Sequence, residues 1–121
     1  MTRIIKSGPG WRLGWDAAAA EFQGLVGADD WALELTAAEL NDFCRLLTQL
    51  VATMAQMSHE LMDEEKIACE AESDRLWLEA EGYPEAYGLS LMVLTGRRGE
   101  GHWDAAAVPA LAQAARSLEL F

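Results

Sequence analysis

Ile67-Ala68-Cys69-Glu70-Ala71-Glu72-Ser73-Asp74-Arg75-Leu76-Trp77-Leu78-Glu79-Ala80-Glu81 reads as two strands folded back on each other. Ile67, Cys69 and Ala71 alternate with Ala68, Glu70 and Glu72; Leu76, Leu78 and Ala80 alternate with Trp77, Glu79 and Glu81. Successive side chains on a strand point to opposite faces, so a period of two gathers the apolar set on one side. Asp74-Arg75 supplies a two-residue loop. With that loop Ala71 faces Leu78 and Cys69 faces Ala80, so the turn and the burial pattern demand the same register. The same register sets Glu70 opposite Glu79, and facing like charges destabilise a sheet by about a few tenths of a kcal/mol or more.

Upstream of this hairpin the period changes. Thr36 and Glu39 have the spacing of a capping box, in which the hydroxyl accepts from the backbone N–H three residues on and the carboxylate reaches back. Leu40, Phe43, Cys44, Leu47, Leu50, Val51, Met54, Met57 and Leu61 then recur at three and four, which predicts one long helix running to Met62. Before the helix, Trp11-Arg12-Leu13-Gly14-Trp15, Glu21 to Val26 and Trp31-Ala32-Leu33-Glu34-Leu35 read as strands, with Gly27-Ala28-Asp29-Asp30 as a turn. After the hairpin come a turn at Tyr83-Pro84-Glu85 and a strand carrying Tyr87, Leu89, Leu91 and Val93. Gly96 to Gly101 reads as an exposed loop, and a last helix begins between Asp104 and Pro109 with Leu111, Ala115 and Leu118 on its apolar side.

The order is strands then helix, twice. The expectation is a single α+β domain over 1–121, with halves of roughly 1–62 and 63–121, antiparallel sheets and packed helices. Its expected core is Trp11, Trp15, Trp31, Leu33, Phe43, Leu47, Leu50, Leu78, Leu89 and Leu91.

At 121 residues and 51% hydrophobic composition the chain can fill one core. Its formal net charge is -11, from 9 basic and 20 acidic residues. That sign opposes the phosphate backbone and anionic membranes and favours a basic partner. Residues 63 to 85 hold nine acids, namely Asp63, Glu64, Glu65, Glu70, Glu72, Asp74, Glu79, Glu81 and Glu85, against two bases, Lys66 and Arg75. No run approaches the roughly 20 apolar residues of a membrane span. The N-terminal residues lack an apolar signal core, and Cys44 and Cys69 fall on apolar faces without a Cys-x-x-Cys pair. Together these predict a cytoplasmic protein with two reduced packing cysteines.

The outward carboxylates Glu70, Glu72, Glu79 and Glu81 form the candidate binding face. They suit a basic protein partner, or a hard cation such as Mg2+ or Ca2+, or they are simply a solvated face that keeps edges apart. No Ca2+-loop pattern accompanies them, and no metal site is assigned. Arg3, Lys6 and Arg12 lie near the Trp11 and Trp15 pair, and Arg97-Arg98 is the only adjacent basic pair. These five are the residues a single-stranded DNA or RNA binder would use, stacking bases on aromatics beside cations. Strand alternation places both tryptophans with Leu13 in the core instead. His59 and His102 lack metal-ligand spacing, and no nucleophile elbow or phosphate loop is present. The expectation is no cofactor, no catalytic residue and a protein that is not an enzyme.

The strings Gly10-Trp11-Arg12-Leu13-Gly14-Trp15-Asp16, Asp30-Trp31-Ala32-Leu33-Glu34-Leu35-Thr36, Asp42-Phe43-Cys44-Arg45-Leu46-Leu47, Glu60-Leu61-Met62-Asp63-Glu64-Glu65 and Glu79-Ala80-Glu81-Gly82-Tyr83-Pro84 resemble a small cyanobacterial family known as domain of unknown function number 1818. The resemblance covers nearly the whole chain and carries no site residues. It implies a fold similar to the Whirly and Pur-alpha single-stranded-DNA-binding regulators, in which a sheet-then-helix unit occurs twice. Those relatives bind single strands across basic and aromatic sheet faces, whereas the best-defined outward face here is acidic.

Overall fold

Thr36 stops the preceding strand and starts a helix, and both halves of the capping box form. Its hydroxyl accepts from the Glu39 N–H at 3.2 Å, and the Glu39 carboxylate accepts from the Thr36 N–H at 2.9 Å. The resulting helix, α1, spans Ala37–Met57 in the computed structural model, which describes residues 3–58 and 65–118. His59, the predicted stripe positions Leu61 and Met62, and the acids Asp63 and Glu64 lie outside the described residues.

Four strands precede α1: β1 (Arg3–Gly8), β2 (Trp11–Asp16), β3 (Gly24–Gly27) and β4 (Ala32–Leu35), paired in that order as one antiparallel sheet. Four more follow it, β5 (Ile67–Glu72), β6 (Leu76–Tyr83), β7 (Ala86–Val93) and β8 (Glu100–Trp103), again antiparallel and in order, before α2 (Val108–Ser117). The fold is therefore α+β, two four-stranded sheets each followed by a helix. The helices touch each other, α1 lying mainly on β5 and β6 of the second sheet and α2 mainly on β2 of the first.

One core fills the space between the layers. Leu13, Val26 and Leu35 come from the first sheet, Leu78, Leu89 and Leu91 from the second, and Phe43, Leu47, Leu50 and Leu111 from the helices, all at 0–1% exposure. The predicted core holds, with Trp15, Trp31 and Leu33 half-buried against it. The β5–β6 register is the expected one: Ala71 with Leu78, Cys69 with Ala80, Glu70 with Glu79. Both cysteines are free and half-buried.

Three local readings are corrected. The N-terminal stretch Arg3–Gly8, given no structure by its sequence pattern, is strand β1, hydrogen-bonded along β2. The strand expected from Glu21 begins only at Gly24, where the helix comes so close that a Cβ would stand 2.9 Å from Leu40; residues before it loop instead. The exposed loop read over Gly96 to Gly101 is in part strand β8, which also takes in His102. Gly101 allows this because the Trp31 ring lies where its Cβ would be. Trp103, absent from the predicted core, is fully buried, donating its indole N–H to the Gly27 carbonyl at 2.7 Å and stacking at a tilt on Trp31 and Phe43.

Candidate functional site

The register of the second sheet fixes what its outer face presents. Glu70 faces Glu79, Glu72 faces Trp77, and Ala68 faces Glu81 across β5 and β6. Trp77 then faces Met92, Glu79 faces Ser90, and across β7 and β8 Ser90 faces His102 and Met92 faces Glu100. All of these point away from α1, because their alternating neighbours fill the core. None of the four strands contains a Lys or Arg. The face therefore carries the five carboxylates Glu70, Glu72, Glu79, Glu81 and Glu100, with a half-buried indole at its loop end between Glu72 and Met92, and the Trp77 indole N–H donates to Glu70 at 3.3 Å.

Beside Trp77 is an open cavity of about 350 Å3, walled by Ser90, Met92, Glu100 and His102. Ser90 Oγ and His102 Nδ1 are 3.0 Å apart. The Asp104 carboxylate stands 3.8 Å from Nε2 and is 95% exposed, so it does not hold the ring as a buried triad carboxylate does. Among the described residues no group of three or more His, Cys, Asp and Glu side chains is placed to hold a metal ion. The face offers carboxylate oxygens and an aromatic surface, the chemistry that receives cations.

The five basic residues of the nucleic-acid reading are not brought into one groove. Arg3 and Arg12 share the outer face of the first sheet but sit at opposite ends of it, Arg3 beside Asp16 and Arg12 beside Ser7. Arg12 is spent on main chain, donating to Ala28 O at 3.0 Å and Trp31 O at 2.9 Å, which braces the β3–β4 turn. Lys6 is on the helix side and donates to Ser117 at 2.9 Å. Arg97 is anchored: it donates to Glu34 O and to the Glu39 carboxylate and lies 4.6 Å over the Phe22 ring. Arg98 is exposed, with φ 52, in the tight turn closed by its N–H on Thr95 O.

Sequence reading missed two buried acids on the first turns of α1. Glu39 is 3% exposed and Asp42 is 6% exposed. Glu39 accepts from Thr95 Oγ1 at 3.0 Å and from Arg97, both in the β7–β8 loop. Asp42 accepts from Ser73 Oγ at 2.7 Å and Arg75 at 3.2 Å in the β5–β6 loop, with Arg45 at 3.6 Å. The two loops are tied together by the Leu94 N–H on Arg75 O. Burial pushes the Glu39 carboxyl up, but hydrogen bonds from the Thr36 backbone, Arg97 and Thr95, with the Arg97 charge, outweigh it and leave it below the usual range. For Asp42 burial is likewise outweighed by Ser73 and Arg75, with a further pull from Arg45. The only sequence signal for this lock is the capping box, which accounts for one of Glu39's three partners. Burial alone pushes the Cys44 thiol up to about 11.

A family model described as domain of unknown function DUF1818 matches residues 6–118. The chain is also similar to a crystal structure from Prochlorococcus sp. NATL2A, of a protein with unknown function from the DUF155 family. Identity there is 27% and the TM-score 0.90, over 96% of this chain and 98% of that one. No curated protein matches.

Proposed function

Because the chain belongs to the DUF1818 family, which brings no activity with it, we propose from its own surface that it is a non-enzymatic interaction or regulatory module, presenting the acidic outer face of its second sheet to a basic protein partner. One observation carries this reading: Glu70, Glu72, Glu79, Glu81 and Glu100 share a face whose four strands contain no Lys or Arg. A sheet face that merely needed solubility would gain stability from mixing signs, since opposite charges across strands attract and like charges repel. Trp77, at the loop end of that face, adds an apolar, cation-receptive surface beside Glu70 and Glu72, which suits an aromatic anchor. No helix among the described residues is long and apolar enough to cross a membrane.

The test is affinity capture from the native cell with the full chain as bait, after nuclease treatment. The bait is compared with the Glu70→Gln, Glu72→Gln, Glu79→Gln, Glu81→Gln variant and with Trp77→Ala. Partners captured by the wild-type chain and lost by both variants support the reading; unchanged capture reduces the face to solvated surface. The competing class is tested by fluorescence anisotropy with labelled mixed-sequence single strands at low and physiological salt. No binding is expected at physiological salt, because log affinity for a single strand falls with log salt by about 0.7 per phosphate neutralised, and Arg12 and Arg97 are already engaged. Micromolar binding with a steep salt slope, lost on Arg97→Ala with Arg98→Ala, would replace the protein-partner reading with a nucleic-acid one.

A further inference from the structure

Two open sheets have four edges, and two of them guard each other. β4 and β8 meet where the Trp31 indole N–H donates to His102 O at 3.0 Å and Leu33 lies against Gly99. The outer edges, β1 and β5, have no such cover: among the described residues the backbone of each bonds along one neighbour, β2 or β6. An unpaired strand edge is a template for another strand.

The two edges are unlike in a complementary way. Each is six residues long. β1 carries Arg3 and Lys6 and no acid; β5 carries Glu70 and Glu72 and no base. β1 also holds two of the few exposed large hydrophobic side chains, Ile4 at 39% and Ile5 at 58%. We propose that β1 of one copy pairs antiparallel with β5 of a second copy, joining the first sheet of one to the second sheet of the next. Keeping outer face with outer face over the full six residues sets Arg3 opposite Glu72 of the second copy and Ile5 opposite its Glu70. On the helix side Ile4 meets Ala71 of the second copy. Pairing β1 with β1 would join two basic strands and pairing β5 with β5 two acidic ones, so only the mixed pairing places opposite charges across the join. The two surfaces differ, so each join leaves a β1 edge and a β5 edge free, and association continues until the copies close on themselves or runs on as a chain.

The join shares Glu70 and Glu72 with the acidic face, but Arg3 lies on the other sheet, so Arg3→Glu tests the join without touching that face. The experiment is sedimentation velocity on the full chain over a dilution series at physiological ionic strength. There the screening length is about 8 Å, so repulsion between copies at -11 is damped while contacting pairs persist. Wild type should associate as concentration rises. Arg3→Glu alone and Glu72→Arg alone should each weaken association about tenfold. An equimolar mixture of the two should regain it, since each join between unlike copies is then oppositely charged. Far-UV circular dichroism checks that both remain folded, and Ile5→Glu, which would face Glu70 of the second copy, replaces Arg3→Glu as the β1 variant, without the mixing arm, if the latter does not fold. A wild-type chain monomeric at its highest soluble concentration would overturn the proposal. So would variants that associate unchanged, a mixture of folded charge variants that fails to recover, or an assembly stopping at two and insensitive to Glu72→Arg.

Discussion

Replacing Glu39 by Ala removes the group that joins the start of α1 to the β7–β8 loop. Three partners lose their acceptor: the Thr36 N–H at 2.9 Å, the Thr95 hydroxyl at 3.0 Å and Arg97. The cap share is worth about 1 kcal/mol. Breaking a buried ion pair from one side costs about 3–5 kcal/mol, but the Arg97 side chain is 37% exposed and regains water, which pulls its share toward the roughly 1 kcal/mol of surface pairs. The sum is about 3 kcal/mol, against about 1 kcal/mol for Thr36→Ala, which removes only the hydroxyl half of the capping box. Domains of this kind are stable by roughly 5–15 kcal/mol, so the difference is easily read in urea denaturation followed by far-UV circular dichroism at constant m. The acid arm checks the cause. Glu39 has a folded-state pKa below its unfolded value, so its contribution is present above the unfolded pKa, near 4.3, and is lost as pH falls through the folded value. The gap between wild type and Glu39→Gln should be full at neutral pH and shrink below about pH 4. If Glu39→Ala costs no more than Thr36→Ala, or if the gap is flat with pH, Glu39 is a cap and nothing more.

Other outcomes follow from the packing. Leu47→Ala, at a fully buried site in the middle of α1, should cost about 2–5 kcal/mol in the same assay; under half of one, roughly, would mean that the apolar stripe does not face the core. Cys44 and Cys69 should both titrate as reduced thiols and react slowly with a water-soluble disulfide reagent until denaturant is added. At pH 8 burial keeps Cys44 as thiol, and fast native-state labelling of it would contradict its packing. Glu79→Gln should leave stability unchanged or raise it by about 0.2–1 kcal/mol, since it removes the carboxylate facing Glu70, and a loss in thermal or urea unfolding would show that the pair is held by something other than repulsion.

Local features are legible in the residue order alone. The two-residue loop at Asp74-Arg75 and the alternation on either side leave one register in which Ala71 and Cys69 stay inward, and that is the register of β5 and β6. The Thr36 and Glu39 spacing located the start of α1, and its three-four stripe located the core face, because cap and periodicity both act within a few residues. The acidic face was legible for the same reason. Tertiary structure decided the rest. Glu100–Trp103 has too little pattern to declare itself a strand; it becomes one because β7 offers a free edge and Trp31, 70 residues earlier, lies over Gly101. Arg3–Gly8 shows no alternation because, as an edge strand, it exposes both Ile4 and Ile5. Nothing local marks Asp42, Glu39 and Arg97 as a buried lock; the fold brings together partners 31 to 58 residues apart, and a charge is buried only where such partners wait for it.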